Sequence, residues 1–157
     1  WLQPAQTVRL ENRIDAYHLR VDGHGIALHA NSAAALFYGI KTIAALMRLN
    51  HGVLPAVEIT DWAELTLRAD YLDLRTIYPR HALLVESIAE MASYKINTLV
   101  IEYEDRLPFD TLDFLRHPDL AMSRQELDEL LHTAHENFVQ VIPKQQSFGH
   151  LEYILKH

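Results

Sequence analysis

Arg75, Glu102, Glu104, Asp105, Gln145, Gln146 and His150 are the residues whose types and spacing could do chemistry in this sequence. Arginine, carboxylates, amides and an imidazole together supply bidentate donors and paired acceptors. That set suits vicinal hydroxyls such as those of sugars. Glu102 and Glu104 stand two apart, which on a strand turns both side chains to one side. Like charges held that close raise the pKa of one of them, a condition that general acid catalysis can use. A structural salt bridge to Arg75 or Arg106 explains the same pair equally well, so spacing alone does not designate a glycosidase acid and base.

Other chemistries fare worse. His132 and His135 lie three apart, within reach of one metal ion on a helix. However, His-Thr-Ala-His-Glu is neither the H-E-x-x-H nor the H-x-x-E-H pattern, and a surface pair is expected, with no metal site. Walker and G-x-G-x-x-G loops are absent, so no nucleotide cofactor is expected, and the lack of G-x-S-x-G weighs against a serine hydrolase. With no cysteine, disulfides, zinc-thiolate sites and cysteine nucleophiles are excluded. Fourteen Lys and Arg against 21 Asp and Glu give a net charge of −7 without a basic cluster, which argues against nucleic acid and acidic membrane surfaces as partners. No apolar run approaches the roughly 20 residues that span a bilayer, and the segment from Trp1 has no signal-type leader.

The elements that must position these residues follow from periodicity. The 157 residues are 49% apolar and 22% charged, enough for a packed core. Tyr17 to Asp22 and Ile26 to Ala30 alternate with period two around Gly23-His24-Gly25, predicting a hairpin with His18, His24 and His29 exposed. Asn31 or Ser32 caps a helix to about Asn50, and Leu54 to Ile59 reads as a further strand. From about Glu64 strands and helices alternate: strand Ala69–Leu74, helix His81–Tyr94 and buried strand Asn97–Tyr103. A helix from Ser123 to about Asn137, opened by a Ser123/Glu126 capping box, and strand Phe138–Ile142 follow. Gly149 onward reads as helical. This alternation predicts an α/β fold with a parallel sheet or barrel, in which ligands meet the carboxyl ends of the strands. Arg75, the Glu102–Asp105 group and Gln145, Gln146 and His150 each follow such a strand.

Several of these stretches are similar to a known family. Leu36-Phe-Tyr-Gly-Ile40 and Leu54-Pro-Ala-Val-Glu-Ile-Thr-Asp-Trp62 resemble the accessory domain that precedes the barrel in family 20 glycoside hydrolases. Leu72-Asp-Leu-Arg75 and Met91 to Leu99 resemble the first barrel strand, helix and second strand of that family. Val141-Ile-Pro143 with Phe148-Gly-His150 resembles the third strand and its histidine loop. Ile101 to Asp105 and Ser147 to His157 are especially similar to the hexosaminidase D branch.

The resemblance implies a β-N-acetylhexosaminidase that removes terminal β-linked N-acetylglucosamine or N-acetylgalactosamine by a retaining, substrate-assisted mechanism without a cofactor. In it the acetamido oxygen attacks the anomeric carbon, an Asp orients the acetamide and a Glu acts as acid and base. It further implies an accessory α+β domain over 1–63, then the first three β/α units of an incomplete TIM (β/α)8 barrel over 64–157. Substrate-binding roles are carried over to Arg75, Asp105 and His150, and more weakly to Glu102, which stands where many members have a histidine. Gln146 and Phe148 depart from the family's aspartate and proline and match the hexosaminidase D branch. The catalytic Asp-Glu pair is expected downstream of His157: Asp128-Glu129 falls within a helix and Glu104-Asp105 ends a strand. The chain alone is therefore expected to be inactive, its sheet needing the remaining barrel or another chain. A non-catalytic carbohydrate-binding or assembly module is the alternative.

Overall fold

A computed structural model describes residues 9–75 and 77–156. The expectation concerning a leader at Trp1 and the terminal His157 lie outside the described residues. Two compact units divide the chain, Trp1–Thr66 and Leu67–His157.

In the first unit, β1 (Ile14–Asp22), β2 (Gly25–Ala30) and β3 (Val57–Ala63) form an antiparallel sheet in the order β2-β1-β3. Alternation buries Tyr17, Leu19 and Val21 of β1 against α1 (Ala33–Leu49). Tyr38 of α1 completes that core, with Leu28, Phe37, Val57 and Ile59 around it. Ser32, rather than Asn31, is the cap: its side chain accepts from the Ala35 amide at 3.0 Å. Asn31 instead accepts from the Ala16 amide and donates to the Leu10 and Arg13 carbonyls. Gly39 lies where α1 presses on β2, because a Cβ there would stand 2.6 Å from Leu28 Cδ1. His24 and His29 are exposed as expected, whereas His18 is half-buried and bonded to Thr60 at 2.9 Å.

The second unit alternates β4 (Ala69–Asp73), α2 (His81–Ser93), β5 (Thr98–Glu102), α3 (Arg124–Glu136), β6 (Gln140–Lys144) and the short α4 (Glu152–Leu155). Its strands are parallel in the order β4-β5-β6. Leu84, Ile88 and Met91 of α2 are buried, as are Leu127, Leu130 and Ala134 of α3 and Leu99 and Ile101 of β5. The Ser123/Glu126 capping box opens α3 in both directions.

Three boundaries move. Strand β3 pairs with β1 from Val57, three residues later than expected, since Pro55 has no amide to offer a ladder. Strand β6 starts at Gln140 because Phe138 takes φ 56° to close α3, and only then can the chain extend. The final helix is confined to Glu152–Leu155, with His150 at φ 54° before it.

Candidate functional site

Parallel register builds the site. Asp73 lies opposite Glu102, and Glu102 opposite Lys144, so one row of charged side chains crosses all three strands at their carboxyl ends. Two residues earlier Tyr71 lies opposite Val100 and Val100 opposite Ile142, on the same face of the sheet. After the strands the chain stays bonded across the row: the Leu74 amide donates to the Glu102 carbonyl at 3.1 Å, and the Tyr103 amide to the Lys144 carbonyl at 3.3 Å.

Glu102 is the centre of the row. Its side chain has no exposed surface, yet it carries a full set of donors. Tyr71 Oη and Lys144 Nζ donate to Oε2, and Gln146 Nε2 donates to Oε1 at 2.8 Å. Arg75 Nε lies 3.2 Å from Oε1. Burial resists ionisation of this carboxyl, but the bonds from Lys144, Tyr71 and Gln146 and the Arg75 charge outweigh it, and the pKa falls to about 2. Lys144 is raised in turn, chiefly by its bond to Glu102.

Arg75 is gripped from its own strand. Its Nε lies 2.9 and 3.0 Å from the two Asp73 oxygens and its Nη2 2.5 Å from Oδ2, a fork-to-fork pair. Hydrogen bonding to Arg75 lowers the Asp73 pKa and raises that of Arg75. Nη1 of Arg75 makes no bond among the described residues, and the side chain keeps 25% of its surface exposed. This nitrogen is the donor offered outward.

Glu104 also comes to Arg75, 3.9 Å from Nε to Oε1, but not by strand alternation. The strand ends at Glu102, Tyr103 turns to helical backbone, and Glu104 itself takes φ 48° at the head of a 3-10 turn over Glu104–Arg106. Its amide is held by Gln145 Oε1 at 3.0 Å, and Gln145 is held by Tyr153 at 2.8 Å. Burial and the neighbouring Glu102, Asp73 and Asp105 charges raise the Glu104 pKa against the pull of Arg75.

Asp105 and His150 are not brought to Arg75. Asp105 faces Arg106 at 3.2 Å and Lys156 at 4.0 Å, while its carbonyl receives the His117 amide at 2.8 Å. His150 is exposed after β6, with no polar partner among the described residues. Of the expected site residues, Arg75 and Glu102 therefore meet directly. Tyr71, Asp73 and Lys144 belong to the cluster although their types alone did not single them out. The signal was their register: Asp73 and Lys144 align with Glu102 once the strands are laid parallel. His132 and His135 are exposed on α3, and no group of three potential metal ligands occurs among the described residues.

The chain is thus an α/β protein whose ligand-competent side chains sit at the carboxyl ends of parallel strands. Residues 3–62 match Glycosyl hydrolase family 20, domain 2. Hexosaminidase D of Homo sapiens is 38% identical over 91 residues, 58% of this chain and 19% of that protein. A β-N-acetylhexosaminidase from Bacteroides fragilis superposes with a TM-score of 0.80 at 22% identity, over 91% of this chain and 33% of its own. A mutant Streptomyces plicatus β-hexosaminidase in complex with its product GlcNAc superposes with a TM-score of 0.71 at 20% identity, over 83% and 31%. The resemblance carried by the short motifs is borne out by these matches: residues 3–62 are similar to a domain of glycoside hydrolase family 20, and the relatives matched are hexosaminidases. It spans about a fifth of the human relative and about a third of the solved structures.

Proposed function

We propose that the parent protein is an exo-acting β-N-acetylhexosaminidase that removes terminal β-linked N-acetylglucosamine or N-acetylgalactosamine by a retaining, substrate-assisted mechanism. In this reading residues 1–63 are the accessory domain and residues 64–157 are the first three β/α units of a (β/α)8 barrel. Arg75 binds sugar hydroxyls through its unbonded nitrogen and Glu102 holds it in place, while Asp105 and His150, at neighbouring strand ends but not in contact with Arg75, are the further sugar-binding residues of this reading. The observation that carries the reading is Arg75: a guanidinium fixed by Asp73 and Glu102 at a strand end, with one donor face open, in a chain similar to family 20. The pair that does the bond cleavage lies outside this sequence. Asp128-Glu129 is inside α3 and Glu104-Asp105 is in the 3-10 turn.

Strands β4 and β6 each pair on one side within the second unit's sheet, and the remainder of the barrel or another chain would satisfy their other edges. The test is direct: the purified 157-residue chain should not hydrolyse a chromogenic N-acetyl-β-glucosaminide. Turnover abolished by Arg75→Ala would overturn the assignment of an incomplete site. A non-catalytic carbohydrate-binding or assembly module is the second reading, favoured by the Arg75–Glu102 cluster with no acid-base pair beside it. Hydrolysis by a full-length parent that carries a strand ending in Asp-Glu would decide against it.

A further inference from the structure

Phe148 is the side chain that the cluster leaves unexplained. It is 100% exposed, more than any other large apolar residue among those described. A phenylalanine ring left in water forgoes one of the larger burial gains a side chain can make. The loop that carries it is tied down on both sides. Gln146 Nε2 donates to Glu102 Oε1 at 2.8 Å, and Gln145 Oε1 accepts from the Glu104 amide at 3.0 Å. Gln145 Nε2 donates to Tyr153 Oη at 2.8 Å, and that buried tyrosine at the head of α4 donates back to the Gln146 carbonyl at 3.4 Å. Between these ties Ser147, Phe148, Gly149 and His150 are all exposed, and a Cβ on Gly149 would meet nothing within 4 Å. His150 turns the chain back with φ 54°. Phe148 is therefore the apex of a clasped loop whose base is bonded to Glu102, itself 3.2 Å from Arg75. The open edge of β6 runs along Gln140–Lys144, and Phe148 stands beyond it, so pairing of that edge does not of itself cover the ring. In an exo-acting site the terminal sugar is innermost, at the strand ends, and whatever is joined to it leaves past the loops above them. A phenyl ring has no donor or acceptor to offer, only contact with an apolar face.

We infer that Phe148 determines specificity for the leaving group: its ring stacks on the apolar face of whatever is joined to the terminal sugar. The inference rests on the sugar-site reading above and extends it outward from the hydroxyl-binding cluster.

The test titrates the 157-residue chain with methyl and phenyl N-acetyl-β-glucosaminide, following backbone amide shifts by NMR. The two ligands share the sugar and differ only in what is joined to it. Wild type should bind the phenyl glycoside roughly fivefold more tightly, the gain expected of one aromatic contact. Phe148→Ala should abolish that preference and leave affinity for the methyl glycoside unchanged, while Phe148→Tyr keeps both. N,N′-diacetylchitobiose is the third ligand. A preference for it that Phe148→Ala also removes shows that the ring takes a sugar face, and a preference confined to the phenyl glycoside shows that it takes an apolar aglycone. A preference that survives Phe148→Ala would overturn the inference. So would an equal loss for all three ligands, which would make Phe148 a support of the loop, or equal wild-type affinity for all three. Arg75→Ala should weaken every ligand alike. Failure of wild type to bind any of them would overturn the sugar-site reading itself, and the inference with it.

Discussion

Replacing Glu102 by Gln tests whether the buried carboxylate organises the second unit. The side chain keeps its shape, but an amide nitrogen now faces Lys144 Nζ or Gln146 Nε2, donor against donor. A carboxyl whose pKa falls from 4.5 to about 2 on folding stabilises the native state by at most about 3 kcal/mol above both values. The cover over Glu102 is thin, however, since Lys144 and Arg75 are 39% and 25% exposed and water screens the charges. We therefore expect a loss of about 1–2 kcal/mol at pH 7. The sign is fixed by linkage: a depressed carboxyl stabilises above its unfolded value and loses that contribution as pH falls from about 4.5 towards 2. The difference between wild type and Glu102→Gln should therefore shrink to roughly half or less near pH 3. Trp62 lies in the first unit, so tryptophan fluorescence follows the wrong half of the molecule. Native-state amide exchange at Leu99, Val100 and Ile101 reads the second unit directly. Equal protection of variant and wild type at pH 7, or an equal loss at pH 7 and pH 3, would refute the reasoning.

Two further predictions concern the scaffold. Ser123→Ala removes the α3 cap, leaves the Glu126 amide without its acceptor and should cost about 1 kcal/mol, measured by urea unfolding with exchange at Leu130 as the local probe. Gly39→Ala sets helix propensity, worth up to about 1 kcal/mol in favour, against overpacking worth about 1–3 kcal/mol. Because the new Cβ would meet Leu28 Cδ1 at 2.6 Å and Cδ2 at 2.9 Å, we expect a net loss of about 1 kcal/mol in thermal unfolding, and a stabilised variant would show that Leu28 repacks freely.

The elements legible in the sequence are those with one dominant cause. Alternation at Tyr17, Leu19 and Val21 specifies both β1 and its buried face, and the Ser123/Glu126 box places the start of α3. The displaced boundaries have local causes that hydrophobic pattern does not encode: a missing amide at Pro55 and a left-handed Phe138. At the site, residue type pointed to Arg75 and Glu102 but passed over Asp73 and Lys144. Their membership depends on lateral register between strands far apart in sequence. Glu104 shows the opposite case: the rule that residues two apart share a face assumed a continuous strand. The chain leaves the strand at Tyr103, and Glu104 reaches Arg75 by the 3-10 turn instead.

The two glutamates, so alike in sequence, have incompatible chemistry. A general acid must hold its proton near the working pH and release it to a leaving group within reach. Glu102 fails on both counts, being ionised with a pKa of about 2 and receiving Tyr71, Lys144, Gln146 and the Arg75 charge on its two oxygens. Its negative charge instead gives Arg75 a second anchor beside Asp73, so the guanidinium is held from two strands. Glu104 has a raised pKa and an unbonded Oε1, but the strand-end carboxylates beside it, Glu102 and Asp73, are already committed to Arg75 and are not free to orient a substrate group. In the proposed reading the cluster therefore recognises a hydroxylated ligand, and the proton-transferring pair comes from a different strand.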